Sequence, residues 1–283
     1  MLNVTRAKKT VDRVAKLLKG NRGIYLPLHI LTYHLIQKER FRKLGIPLKY
    51  LVLPNGTKCL IDEEQKLITF DHVLTSFGDI FENQEYLLLK EYKPHHGDIV
   101  FDVGAFIGLY TLFASKCVGK GGKVYAFEPV PISYEFLIKN IKVNRINNVV
   151  PLNVALADYS GYTKLYIPQN TKYYAEASMI PTTSTIHYTV KVNTLDDVVQ
   201  QYHLDRIDLL KIDVEGAELM VLKGGFHSLK IVDKIVVEAH DTNGSKLSRS
   251  VVRYLKSSGF KVDGIYIPDI GVTKKIVYAR KSR

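Results

Sequence analysis

Two cysteines are all that the chain carries, Cys59 and Cys117, far apart and without ligand-like spacing. That excludes a disulfide framework and a cysteine zinc site, and a reducing, cytoplasmic setting is expected. Long apolar runs are also missing. The longest, "IYLPLHILTYHLI" at 24–36, is interrupted by Pro27, His29 and His34, whereas a membrane span needs roughly 20 apolar residues. No small-residue cleavage site follows it, so a signal peptide is not expected. A short apolar segment with basic flanks suits either an interfacial anchor, which would make the protein peripheral to a membrane, or a helix packed on the body. Repeats and low-complexity tracts are absent. What remains is an ordinary globular balance, 46% hydrophobic and 24% charged over 283 residues, enough for one large domain or two small ones.

Charge of one sign is scarce in one place. Residues 1–50 hold 12 Lys and Arg against two acids, Asp12 and Glu39, a balance of +10 out of the chain's +12. The remaining 28 basic and 26 acidic residues nearly cancel. Such asymmetry points to an anionic membrane surface, an anionic polymer or nucleic acid as partner. A solubilising extension without a partner is the plain alternative.

Residues 1–45 read as a basic helical extension, with Val11, Val14, Leu17 and Leu18 at helical spacing and a stop at Gly20. Residues 46–94 read as a hairpin turning at Asn55-Gly56, then a helix over "QEYLLLKEY" leading into Pro94. From 95 to 283 apolar strand-length runs alternate with helix-length segments. The strands are expected at 99–103, 123–127, 149–155, 209–213, 234–238, 261–267 and 275–279. The helices are expected at 108–117, 133–144, 195–202, 218–224 and 246–258. This rhythm implies an α/β fold with a mostly parallel sheet covered on both faces. Ligands in such sheets bind beyond the carboxyl ends of the strands.

There the first strand ends in Asp102 and a turn, Gly104, Ala105, Phe106 and Gly108; the second ends in Glu128 and Pro129, 20 residues after Gly108. A strand-end acid about 20 residues beyond a glycine turn is what a ribose diol needs, since a carboxylate accepts from both hydroxyls. A diphosphate cofactor would want G-x-G-x-x-G. Here three residues separate the glycines, Phe106 would crowd a diphosphate, and Asp102 would repel it. Asp102 instead suits an ammonium group, as in S-adenosylmethionine. A nicotinamide dehydrogenase is accordingly disfavoured.

The stretches "FDVGAFIGLYT", "VYAFEPVPISYEFLIKNIKVN", "NVALADYSG", "VNTLDDV", "IDLLKIDVEGAELMVLKGG" and "VVEAH", in this order over about residues 95 to 240, resemble the FkbM-type S-adenosylmethionine-dependent methyltransferases. The resemblance implies a Rossmann-like class I methyltransferase sheet with an antiparallel strand near its end. It also implies methylation of oxygen, commonly on sugars or natural-product hydroxyls. By position, Asp102 and Gly104 would hold the amino-acid end of the cofactor and Glu128 its ribose. Asn153 to Ala155 would lie beside the adenine, with Asp158 a further candidate or simply part of the turn "ADYSG". The family usually has Asn where this chain has Phe106.

Methyl transfer is an in-line displacement in which the protein aligns the nucleophile and takes its proton. The fourth strand ends at Asp213, with Glu215 and Glu218 beyond, and the fifth at Glu238, His240 and Asp241. Asp213 or His240 is the expected base, with Glu215 and Glu238 shaping the pocket. Glu218 reads as a helix N-terminal charge and Lys211 as an acid's partner. No metal is assigned, although Asp213, Glu215, Glu238 and Asp241 could offer oxygen ligands to a divalent cation. The insertion 166–190, with Tyr173, Tyr174, His187 and Tyr188, is either a cover for an acceptor or a hairpin extension. The leading expectation is O-methylation of a sugar, glycolipid or related small molecule. An RNA methyltransferase using the basic segment, or a non-catalytic scaffold, are the alternatives.

Overall fold

The computed structural model describes residues 50–52, 57–60, 80, 85–168, 185–241, 246–267 and 274–282. The expected helices of residues 1–45, the Asn55-Gly56 dipeptide, Tyr173 and Tyr174 lie outside them. The chain divides into two units, Met1–Phe70 and Asp71–Arg283. In the first, β1 (Tyr50–Val52) pairs antiparallel with β2 (Lys58–Leu60), as expected of a hairpin. Among the described residues no helix is long and apolar enough to cross a membrane.

The second unit holds a seven-stranded sheet. Its strands are β3 (Ile99–Val103), β4 (Lys123–Phe127), β5 (Val149–Leu152), β9 (Ile207–Ile212), β10 (Val232–His240), β11 (Phe260–Tyr266) and β12 (Lys274–Lys281). The spatial order is β11-β12-β10-β9-β3-β4-β5. Every pair from β10 to β5 is parallel, and β12 runs antiparallel between β10 and β11. The helices are α1 (Leu109–Val118), α2 (Pro131–Val143), α3 (Leu195–Gln201), α4 (Glu218–Lys223) and α5 (Leu247–Ser257). The apolar strands are buried on both faces because helices cover both. Leu112 of α1 and Leu137 and Ile141 of α2 pack with Ala126 on one face. Phe101, Phe127, Leu210 and Val237 pack with Leu195, Val221, Val251 and Leu255 on the other.

Two local signals set helix starts. Pro131 opens α2, where its missing N–H costs nothing. Thr194 caps α3 in a reciprocal box with Asp197.

Two expectations are corrected. Of the expected helix "QEYLLLKEY", the described residues 85–92 are a run of turns ending in a 3-10 turn at Lys90–Tyr92. Its tyrosines are pulled in different directions, Tyr86 onto the strand tips and Tyr92 to Asp263 at 2.9 Å. The run 149–155 is not one strand: β5 stops at Leu152, and Ala155 starts β6 (Ala155–Leu156) in a separate three-stranded sheet. There β8 (Thr185–Asn193) lies between β6 and β7 (Gly161–Pro168), with β7 and β8 antiparallel. The 166–190 insertion therefore begins and ends as a hairpin.

Candidate functional site

Parallel strands place their carboxyl ends along one edge, and alternation along each strand decides which side chains meet there. Val237 and Ala239 of β10 enter the core on the α3–α5 face, so Glu238 and His240 take the α1 side. Lys211 sits opposite Asp102 across the β9–β3 pair and shares that side.

The turn after β3 is tied down from three directions. The N–H groups of Gly104 and Ala105 both donate to the Phe127 carbonyl, at 3.0 and 2.9 Å, and Asn140 of α2 donates to the Ile107 carbonyl at 2.8 Å. Gly104 has φ +80°. A Cβ there would come 1.7 Å from the Asp213 carbonyl oxygen, so the close approach this glycine permits is to the main chain after β9. Gly108 (φ +91°) lies against Leu137. Phe106 has φ +50°, a left-handed conformation that suits Asn better than Phe.

Asp102 is not open to a ligand. It is fully buried, accepts the Thr111 hydroxyl at 2.5 Å on Oδ2, and pairs with Lys211 Nζ at 3.1 Å on Oδ1. Its expected contact with an ammonium group is corrected to an internal ion pair. Lys211 also donates to the Gly104 carbonyl at 3.0 Å and lies 3.6 Å from Asp213.

Glu128 follows β4 and is nearly buried. Each carboxylate oxygen accepts one backbone N–H at 2.8 Å, Oε2 from Phe106 and Oε1 from Val130. Burial pushes its pKa up to about 7, against the downward pull of those two N–H groups and of Lys211. Asn153 is spent as a brace, donating to the Glu128 and Pro129 carbonyls at 2.8 and 3.1 Å. Ala155 is buried in the small sheet's core with Val130 and Val192. Asp158 is exposed in the turn before β7. Ala105, beneath Gly104, packs into the α1–α2 core.

At the tips of β9 and β10 the structure assembles Asp213, Glu215, Glu238 and His240. The His240 Nδ1 lies 2.7 Å from Glu218 Oε1, and its Nε2 lies 3.5 Å from both Glu215 Oε2 and Glu238 Oε1. Burial works to lower the His240 pKa, but Glu218, Glu238, Glu215 and Asp213 outweigh it and push it up to about 12. A charged imidazole has no lone pair for a substrate proton, and in that state His240 orients the acids around it instead of acting as the expected base. Burial likewise works to raise Glu238, and His240, Lys274 and Tyr86 hold it at about 2. Burial and Glu238 raise Asp213 above the usual carboxylate range. Asp241 leaves the group, accepting from the Ser248 backbone and hydroxyl at 2.8 and 2.9 Å and from Lys275 at 2.8 Å.

Two members escaped the sequence. The Tyr86 hydroxyl lies 2.6 Å from Glu238 Oε2 and 3.0 Å from Asp213 Oδ2, and Lys211 stands over its ring at 5.3 Å. Lys274 bridges Glu85 at 2.8 Å and Glu238 at 3.3 Å. Nothing periodic marks Tyr86, and Lys274 reveals itself only through the antiparallel pairing that sets it opposite His240.

A family model described as the methyltransferase FkbM domain matches residues 102–262. Methyltransferase sdnD of Sordaria araneosa is 31% identical over 193 residues, covering 58% of this chain and 73% of the relative. The hexuronic acid methyltransferase AglP of Haloferax volcanii is 30% identical over 167 residues, covering 57% and 64%. The 31-O-demethyl-FK506 methyltransferase FkbM of Streptomyces tacrolimicus is 31% identical over 217 residues, covering 66% and 81%.

Proposed function

The chain belongs to the FkbM methyltransferase family, and from that premise we propose that it methylates a hydroxyl oxygen of a sugar, glycolipid or related small metabolite. The observation that carries the reading is one of placement. Glu128 ends β4 beside the turn at the end of β3, and across β3 the acids and imidazole gather at the tips of β9 and β10. One half can hold a nucleoside and the other a hydroxyl.

S-adenosylmethionine is the cofactor, and it supplies a methyl carbon activated by a positive sulfur. Glu128 fits its ribose. Each carboxylate oxygen has used one acceptor site on a backbone N–H and keeps capacity for another, which the two ribose hydroxyls fill as donors. With Asp102 spent on Lys211 and Thr111, the amino-acid end is left to the backbone of the Gly104–Phe106 turn. Asp102 then acts by position, anchoring the lysine that grips the Gly104 carbonyl.

In the transfer, the acceptor oxygen bonds to the methyl carbon as the carbon–sulfur bond breaks, and the hydroxyl proton must leave. Asp213 and Glu215, partly exposed at the tip of β9, are the carboxylates placed to take it. His240 fixes the geometry of the acids around it. An acid-rich recess welcomes hydrogen-bond donors and repels phosphates, which favours a polyol over RNA. Two relatives whose names specify a hexuronic acid and a 31-O-demethyl compound support oxygen as the target.

Incubation with methyl-labelled S-adenosylmethionine and fractionated lipid, polysaccharide and RNA tests the reading. Label should enter an ether on a hydroxylated small molecule or glycan and be lost in Asp213→Asn while cofactor binding survives. Label in RNA alone would overturn it.

A further inference from the structure

We propose that the tips of β9 and β10 form a divalent-cation site whose protein ligands are Asp213, Glu238 and His240. One ligand atom from each of the three lies within 4.8 Å of the others. The arrangement of His240 is what makes the group more than a cluster of acids. Its Nδ1 faces Glu218, a fully buried carboxylate that is itself fixed by the Gly216 N–H at 3.0 Å. A carboxylate behind one ring nitrogen sets the tautomer and strengthens the other nitrogen as a donor to metal. That other nitrogen, Nε2, points at two carboxylate oxygens, of Glu215 and Glu238, each 3.5 Å away. This is beyond a good hydrogen bond. It is close to the edge of a coordination octahedron with ligand bonds of about 2.1 Å, roughly 3 Å.

Among the described residues the contacts of the group hold more acids than cations. Tyr86 has one proton to offer Asp213 and Glu238 together. Among the described residues the second oxygen of Glu218 is buried without a hydrogen-bond partner. Lys211 is shared with Asp102, and Lys274 with Glu85. A cation would relieve the repulsion among the acids, taking the place of the proton on Nε2. Two carboxylates and one imidazole suit a hard or borderline ion such as Mg²⁺ or Mn²⁺.

Resting on the function proposed above, the cation binds the acceptor hydroxyl and lowers its pKa. The proton passes to Glu215 and on to water. The oxygen then forms its bond to the methyl carbon, the carbon–sulfur pair goes to sulfur, and S-adenosylhomocysteine and the ether leave with the cation unchanged.

Mn²⁺ titration of the full chain, read by the spin-resonance signal of free Mn²⁺ without cofactor or acceptor, tests the site. One ion per chain is expected, weakened tenfold or more in His240→Gln and in Glu238→Gln and unchanged in Glu128→Gln. Spin-echo modulation should reveal an imidazole nitrogen bound to Mn²⁺ in the unmodified protein, a readout independent of whether any variant folds. No bound Mn²⁺, or bound Mn²⁺ without a nitrogen ligand, would overturn the proposal. Calorimetry with S-adenosylmethionine, run in parallel on chelator-treated protein, separates the two ideas. Cofactor binding without Mn²⁺ binding defeats the cation site alone, and absent cofactor binding defeats the methyltransferase reading.

Discussion

Glu128 is the residue whose chemistry is most open to measurement. Its ionised form accepts from both ribose hydroxyls while its protonated form gives up one acceptor oxygen to its own proton, and burial holds its pKa near 7 rather than near 4.5. Below that value the group carries a proton, so S-adenosylmethionine affinity should fall by about tenfold per pH unit beneath pH 7 and level off above about pH 8. Glu128→Gln should weaken binding by roughly 10- to 100-fold, the worth of one or two hydrogen bonds to a charge, and abolish the pH slope. Calorimetry from pH 5.5 to 8.5 checks both. The two glycines of the turn should differ sharply. A methyl at Gly104 meets backbone that cannot retreat, whereas at Gly108 it meets the flexible tip of Leu137. Gly104→Ala should cost more than about 4 kcal/mol and Gly108→Ala about 1–2 kcal/mol from its left-handed backbone, read by denaturant unfolding. Asp102, Glu128, Asp213, Glu238 and His240 were legible because strand ends announce themselves. The roles of Asp102 and His240 were not, since a charge's purpose depends on which neighbours already satisfy it.

Elements were read with small errors wherever alternation was strong. Strand β3 was expected at 99–103 and β4 at 123–127, which are their observed bounds. Residues 85–92 misled because a run of three leucines, Leu87 to Leu89, also suits a chain pinned by the buried tyrosines Tyr86 and Tyr92 on either side. The early end of β5 was hidden because Asn153 binds the backbone after Glu128 instead of continuing a ladder. Helix α3 offers a clean test of local signal against packing. Its Thr194 hydroxyl accepts the Asp197 N–H at 3.0 Å, and Thr194→Ala should cost about 1 kcal/mol. That lowers the melting temperature by about 2–4 °C, measurable by calorimetric scanning.

Across the whole molecule, charge and chemistry are separated. The basic excess sits in residues 1–50, while every group proposed to bind cofactor or acceptor lies in the unit Asp71–Arg283. Deleting residues 1–50 should leave S-adenosylmethionine affinity within about twofold and remove salt-sensitive sedimentation with anionic vesicles, since screening weakens such attraction. Vesicle binding that survives the deletion would place the anionic partner elsewhere. The bare Cα of Gly104 against the Asp213 carbonyl has a kinetic corollary. On the function proposed, the turn that would hold the nucleoside and the main chain that carries Asp213 are in direct contact, so neither can be remodelled privately. The donor should therefore bind first and the demethylated nucleoside depart last, giving an ordered sequence in which S-adenosylhomocysteine competes with the donor but only lowers the maximal velocity toward the acceptor.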